Sequence, residues 1–254
     1  MFSLFKRAHA ALARQAEVGW IIDTEKAGFI WAEPTRVRTE ESDQTHAKSL
    51  RVCPAMLDHE ARLFEVACPI DLRVKLAKDD KGQLTLVNMA GDQSTVRSKH
   101  LGQMLVLVPQ KEWRKKDRPV IQIITPYLFL ADEPIYMTQL PAFNHYQPNP
   151  LPGVLVGGRF PIDVWPRHLM WAMEWHDTSR ELVLKRGEPW FYVRFEAHDP
   201  SRPIKLVEAE MTPALSEYIK GVSSVTNYVN RTFSLFKTAR ERRPKTLLTR
   251  KMRG

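Results

Sequence analysis

The sequence predicts a mainly β protein, a β-sandwich or jelly roll over residues 19–211, with a short N-terminal helix (1–18) and a long C-terminal helix (212–242). Three observations lead to this fold class. Apolar and polar residues alternate in short runs through the middle of the chain, turn-forming residues separate the runs, and apolar residues recur at helical spacing near both ends. A basic tail (243–254) follows the last helix, and we expect one domain rather than two.

The composition excludes several classes of protein. Of the 254 residues, 43% are hydrophobic and 26% are charged, which is typical of a globular chain rather than a disordered one. No apolar run approaches the roughly 20 residues that a transmembrane helix needs. The two cysteines, Cys53 and Cys68, are too few for a disulfide framework. We therefore expect a cytoplasmic protein, from a bacterium or a phage-infected cell, with no membrane partner.

The first predicted element is a short amphipathic helix. Phe2, Phe5, Ala8 and Leu12 recur at helical spacing among basic residues, and no acidic residue precedes Glu17. The same basic, acid-free composition also fits a mitochondrial targeting segment, which is the alternative interpretation.

Two hairpins are predicted in the β region. Residues 70–89 contain two runs that suit strands, separated by the turn sequence Asp-Asp-Lys-Gly at 79–82. Residues 181–196 contain two more around Arg-Gly-Glu-Pro at 186–189, where glycine can take a positive φ and proline fixes the start of the next strand.

Two further strands are predicted to be heavily buried. Residues 120–124 are apolar at four of five positions, which indicates burial on both faces, and Pro126 is expected to end that strand. Residues 168–176 alternate so that one face carries only large apolar side chains. That face holds Leu169, Trp171, Met173 and Trp175.

Glu174 and His176 are the candidate metal ligands. Side chains two apart in a strand point to the same side, so this carboxylate and this imidazole are neighbours. Such a pair can ligate a divalent metal or act as an acid/base pair, with a third ligand from His145, His198 or Asp177. The alternative is a hydrogen-bonded structural pair.

Positive charge is concentrated near the C-terminus. The formal net charge is +9, and residues 237–254 hold eight basic residues against one acidic residue. Such a cluster can neutralise several phosphates, so nucleic acid or another polyanion is a candidate partner; the alternative is a solvated terminus without a partner. A second basic cluster surrounds a tryptophan and suits contact with a phosphate and a base together. The candidate contacts are Arg240, Arg242, Arg243, Lys245, Arg250, Lys251, Arg253, Trp113, Arg114, Lys115 and Lys116.

A short repeat points to self-association. The pentapeptide Phe-Ser-Leu-Phe-Lys occurs at 2–6 and again at 233–237, in both predicted helices. Two helices with matched aromatic faces could bind each other or a common partner in a homo-oligomer, whereas chance is the alternative. The candidate interface residues are Phe2, Phe5, Phe233 and Phe236.

Residues 151–189 carry a resemblance to a known family. The segments that carry it are Pro-Gly-Val at 152–154, the aromatic strand at 171–175 and Gly-Glu-Pro at 187–189. They resemble an uncharacterised family of phage and bacterial proteins, a domain of unknown function. The resemblance implies a β-rich fold and a bacterial or phage origin, and family members often carry asparagine where this chain has Glu174.

The sequence contains no recognised catalytic motif. It has no glycine-rich phosphate loop, no Gly-x-Ser-x-Gly elbow and no His-Glu-x-x-His. The favoured interpretation is a non-catalytic binding or assembly protein whose basic tail contacts nucleic acid. The alternative is a jelly-roll, cupin-like enzyme acting on a small molecule, with a divalent metal at Glu174 and His176.

Overall fold

The computed structural model describes residues 15–23, 29–38, 49–91, 96, 98–225 and 232–252. This part of the chain is mainly β, with about 40% strand and 17% helix. The strands are β1 (Ala16–Ile22), β2 (Thr35–Arg36), β3 (Leu63–Ala67), β4 (Leu72–Lys78), β5 (Leu84–Asn88), β6 (Leu105–Leu107), β7 (Val120–Leu130), β8 (Ile135–Pro141), β9 (Gly153–Val156), β10 (Arg159–Pro161), β11 (His168–Trp175), β12 (Leu182–Leu184), β13 (Pro189–Ala197) and β14 (Ile204–Glu208). The helices are α1 (Pro54–Glu60), α2 (Ser98–Leu101), α3 (Pro213–Val225) and α4 (Thr232–Arg242).

The strands form three sheets. Sheet A has the order β14-β1-β7-β11-β9, with β6 also paired to β7, and sheet B has the order β10-β8-β13-β3-β2. Sheet C is the smaller sheet β12-β4-β5. Among the named strands of the described chain, every pairing is antiparallel except that of β1 with β14.

Sheets A and B pack against each other through aromatic side chains. The ring centroids of Trp171 in β11 and Phe191 in β13 are 4.7 Å apart, and those of Phe129 in β7 and Phe195 in β13 are 5.3 Å apart. Residues of sheet C, including Leu72, belong to the same core. One apolar core therefore lies between the faces of several sheets, as in sandwich architectures.

The C-terminal helices cover the other face of sheet A. Ile21, Leu128 and Leu130 point away from the aromatic core and form a second apolar cluster with residues of α3, among them Leu215 and Val222. Strand β7 is therefore buried on both faces, as its apolar sequence predicts.

The prediction of one long C-terminal helix is wrong. Helix α3 ends at Val225 and α4 begins at Thr232, and the hydroxyl of Tyr218 in α3 lies 2.9 Å from the carbonyl oxygen of Ala239 in α4. A single helix over 212–242 would be about 46 Å long, so much of its apolar face would extend past the sheet it covers. The two shorter helices bury Leu215, Ile219 and Val222 of α3 and Ala239 of α4 in one cluster with residues of sheet A.

The predicted N-terminal helix and the two predicted hairpins have different outcomes. Residues 1–14 lie outside the described residues, and Ala16 to Val18 belong to β1 rather than to a helix. The hairpin at residues 70–89 is confirmed, since β4 pairs with β5 and Gly82 has a φ of 74°. The hairpin at residues 181–196 is wrong, because β12 pairs with β4 while β13 pairs with β3 and β8.

Pro126 does not end its strand. Strand β7 runs through it to Leu130, and the register against β11 shifts between the pairs Ile124–Met170 and Leu128–His168. Proline is tolerated within a sheet at such an irregularity because no ladder bond needs its missing N–H.

No helix in the described ranges has both the length and the apolar character that crossing a membrane requires.

Candidate polyanion-binding surface

Glu174 and His176 lie side by side at the end of β11. His176 Nε2 is 3.0 Å from Glu174 Oε1. Glu174 is buried, with 5% of its surface exposed, whereas His176 is exposed. The carboxylate points to the outer side of β11, opposite Trp175, and is nevertheless covered by neighbouring chain.

Two arginines supply that cover. Arg118 Nη1 lies 3.3 Å from Glu174 Oε1, and Arg114 Nε lies 3.7 Å from Oε2. Burial alone would raise the pKa of Glu174, but the hydrogen bond from Arg118 and the charges of Arg114 and His176 outweigh it. The pKa of this carboxyl is therefore below its ordinary value, and Glu174 is ionised at neutral pH.

The residues around Glu174 do not fit a metal ion. Two guanidinium groups already face its carboxylate, and they would repel a divalent cation. Asp177 instead accepts a hydrogen bond from Ser179 Oγ at 2.6 Å, His198 is exposed, and His145 lies 3.8 Å from Glu188. The described residues contain no group of three or more His, Cys, Asp or Glu side chains arranged to hold a metal.

Glu174 instead anchors the basic loop, defined as Lys111–Arg118. Arg118, at the end of this loop, donates a hydrogen bond to the Glu174 carboxylate. Arg114, in the middle of the loop, is largely exposed and lies near Oε2, which accepts no hydrogen bond from the described residues. The indole Nε1 of Trp113 donates to the carbonyl of Val108 at 2.7 Å, and the amide of Arg118 donates to the carbonyl of Lys115 at 3.1 Å. These contacts fix the loop without using the side chains of its lysines.

The lysines of the basic loop face solvent. Lys111, Lys115 and Lys116 are exposed, and none of them takes part in the ion pairs found within the described residues. Three positive charges close together on an exposed loop attract anions, and the backbone that carries them is already positioned by the fold.

A cavity of about 390 Å³ opens between the basic loop and sheet C. Trp113 lines it, and its ring is half-buried against the protein. Lys78 from the end of β4 lines the same cavity. The lining consists of Leu76, Ala77, Lys78, Leu84, Gln110, Trp113, Lys116, Asp117, Pro119 and Thr178.

The described part of the predicted basic tail, residues 243–252, packs on the domain, and three of its cations have partners. Arg243 Nε donates to the carbonyl of Asp163 at 2.6 Å, Arg250 forms an ion pair with Glu17, and Lys251 Nζ lies 2.6 Å from Glu208. These three side chains hold the C-terminal segment to the domain. Arg240, Arg242 and Lys245 are exposed, and Arg253 lies outside the described residues.

The candidate interface residues are only partly described. Phe2 and Phe5, and the side chain of Phe233, lie outside the described residues. The ring of Phe236 packs on Trp165 within the same chain, with centroids 5.6 Å apart. Self-association through the terminal helices stays a prediction.

Sequence reasoning missed Arg118 and Lys78 as members of the surface. Arg118 is the last basic residue of the basic loop, so the pattern of charge contained a signal for it. The sequence contains no such signal for Lys78, because the approach of Lys78 to the basic loop depends on how sheet C packs beside sheet A.

Comparisons of the chain with protein-family models, with curated proteins and with solved structures find no match.

Proposed function

We propose that the protein is a non-catalytic binding protein, of bacterial or phage origin, that contacts nucleic acid or another polyanion through exposed basic residues. The observation that carries the proposal is the anchoring of the basic loop by buried Glu174. An ionised carboxylate that binds Arg118 and lies near Arg114, beside three lysines that form no ion pair with the described residues, is an arrangement suited to binding anions.

The C-terminal segment supplies a second basic surface. Arg243 is held by backbone carbonyls, including that of Asp132 at 2.8 Å, and this contact fixes the chain beside the exposed Arg240, Arg242 and Lys245. The basic loop precedes β7 and the Arg243 contacts follow it. The two surfaces are therefore separated by about the length of an eleven-residue strand, roughly 36 Å, and can be tested independently.

The test is fluorescence anisotropy of the full chain with a labelled single-stranded oligonucleotide over a series of salt concentrations. The double variant K115Q/K116Q should lower the slope of log affinity against log salt by about 1.4, since each single-strand phosphate contact contributes about 0.7. The triple variant R240Q/R242Q/K245Q should lower it by about 2. The matched control K185Q/R186Q removes two exposed charges elsewhere and should leave the slope unchanged.

The variant E174Q tests the anchoring itself. Removing a negative charge beside a basic surface would ordinarily strengthen the binding of an anion. If Glu174 acts by positioning Arg114 and Arg118, E174Q should weaken it. Stronger binding by E174Q would contradict the anchoring role of Glu174, on which the basic-loop part of the proposal rests. Absence of salt-dependent binding by the wild type to both nucleic acid and heparin would overturn the proposed function as a whole.

A further inference from the structure

Trp113 is held in a fixed orientation beside the cavity of the basic loop. Its indole N–H is already bonded to the carbonyl of Val108, at 2.7 Å. The ring therefore offers its surroundings apolar surface and π-electron density rather than a hydrogen-bond donor. Such a surface suits stacking or edge contact with a flat ligand.

The cavity combines this ring with apolar and cationic groups. Leu76, Leu84 and Pro119 contribute apolar surface from sheet C and from the residue before β7. Lys78 and Lys116 are exposed, and they outnumber the one acidic residue of the lining, Asp117. The cavity, of about 390 Å³, is wide open to solvent, so a flat ligand can reach the ring from one side.

We infer that this cavity receives one unstacked nucleobase, stacked on Trp113, while Lys78 and Lys116 contact the adjacent phosphate. The inference rests on the proposed function and narrows it to single-stranded nucleic acid. A base inside a duplex is stacked on both sides and paired, so it cannot enter a cavity without an energetic cost. In a single strand the base is already unpaired, so its entry into the cavity costs very little free energy. Lys78 and Lys116 form no ion pair in the described part of the chain and are therefore available to a phosphate.

The first measurement compares a labelled oligothymidine with a duplex of equal length, by anisotropy with wild type, W113A and W113F. Wild type should bind the single strand more tightly than the duplex. Loss of the ring in W113A should weaken single-strand binding by about five-fold to 150-fold. W113F keeps an aromatic ring but loses the hydrogen bond to Val108, so its affinity should lie between those of W113A and wild type. Duplex affinity should change little in either variant.

The second measurement avoids dependence on the folding of W113A. Bromouracil placed in the single strand is photo-crosslinked to the wild-type chain, and the modified peptide is identified by mass spectrometry. We expect the crosslink within residues 110–119, and we expect K78Q, a change on sheet C outside the loop, to weaken single-strand binding selectively. K185Q, an exposed lysine outside the cavity, is the matched control.

The outcomes separate the two proposals. Equal affinity for single strand and duplex, or a crosslink only elsewhere in the chain, would overturn the inference while leaving a salt-dependent polyanion surface intact. Binding to heparin but to neither the single strand nor the duplex would also overturn the inference and leave the polyanion surface intact. Absence of salt-dependent binding to all three would overturn the proposed function and the inference together.

Discussion

Gly153 lies at a close approach of two strands of sheet A, β9 and β11. It pairs with Trp175, and the preceding carbonyl, that of Pro152, accepts hydrogen bonds from the amides of His176 and Asp177 at 3.0 and 2.9 Å. A Cβ built on Gly153 overlaps the carbonyl oxygen of Glu174 and lies 2.9 Å from its carbonyl carbon. These are backbone atoms, so no side-chain rotation can relieve the overlap.

The substitution G153A should therefore destabilise the protein by about 3 kcal/mol. Overpacking against fixed atoms costs roughly 1–3 kcal/mol, and weakening either hydrogen bond to Pro152 adds about 1 kcal/mol. For a chain of this size each kcal/mol lowers the Tm by roughly 2–4 °C, so the expected decrease is about 6–12 °C. Displacing the backbone of Glu174 should also loosen its contacts with the basic loop.

The measurement is thermal unfolding followed by circular dichroism, with G221A as the matched control. Gly221 lies inside α3, and a Cβ there meets no atom within 4 Å among the residues that the structure describes. Because alanine favours a helix over glycine by about 0.8–1 kcal/mol, G221A should raise the Tm by a few degrees. If G153A unfolds at the wild-type temperature, the close approach of β9 and β11 is not as described.

Two further predictions concern buried ionisable groups. The hydroxyl of Tyr218 lies 2.5 Å from the carbonyl oxygen of Val164, and burial raises the pKa of this phenol from 10.0 to about 12. The stability it contributes is complete below pH 10 and is lost as the pH rises from 10 towards 12, because the unfolded chain releases the proton first. The urea midpoint of the wild type should fall over this alkaline range. Y218F should be about 1–2 kcal/mol less stable than wild type at pH 8 and should lose less stability above pH 10. Equal stability of Y218F and wild type at pH 8 would contradict this role of the hydroxyl. Burial also raises the pKa of the Cys68 thiol to about 12, so a thiol reagent at pH 8 should modify half-buried Cys53 rapidly and Cys68 only after denaturation. Equal rates for the two cysteines in the native protein would disprove this.

Local sequence patterns predicted the parts of the fold that depend on neighbouring residues. Alternation at 168–175 identifies the face of β11 that carries Trp171 and Trp175, and both are almost fully buried. The turn at Asp79 also follows from local chemistry, since its carboxylate accepts hydrogen bonds from the amides of Lys81 and Gln83. The hydrogen bonds of the Asp79 turn span at most four residues.

The errors occur where distant segments decide the structure. Residues 181–196 look like a hairpin, yet the amide of Gly187 and the carbonyl of Glu188 bond to Cys68, and the chain passes there from sheet C to sheet B. The partners of Glu174 were missed for the same reason, because Arg118 lies 56 residues away in sequence. A strand pattern shows which side chains share a face but not which loop covers them.

The pairing of β1 constrains the order in which the protein folds. Strand β1 is bordered by β7 on one edge and by β14 on the other, and the ion pair of Arg250 with Glu17 spans 233 residues of sequence. During synthesis the first strand therefore remains without one of its neighbours until almost all of the described chain has been made. Closing such long loops is entropically costly, and folds rich in distant contacts form slowly. A ribosome-bound chain lacking β14 and the segment around Arg250 would expose the unpaired edge of β1. Such an edge can pair with another chain and lead to aggregation, and chaperones bind and protect surfaces of this kind.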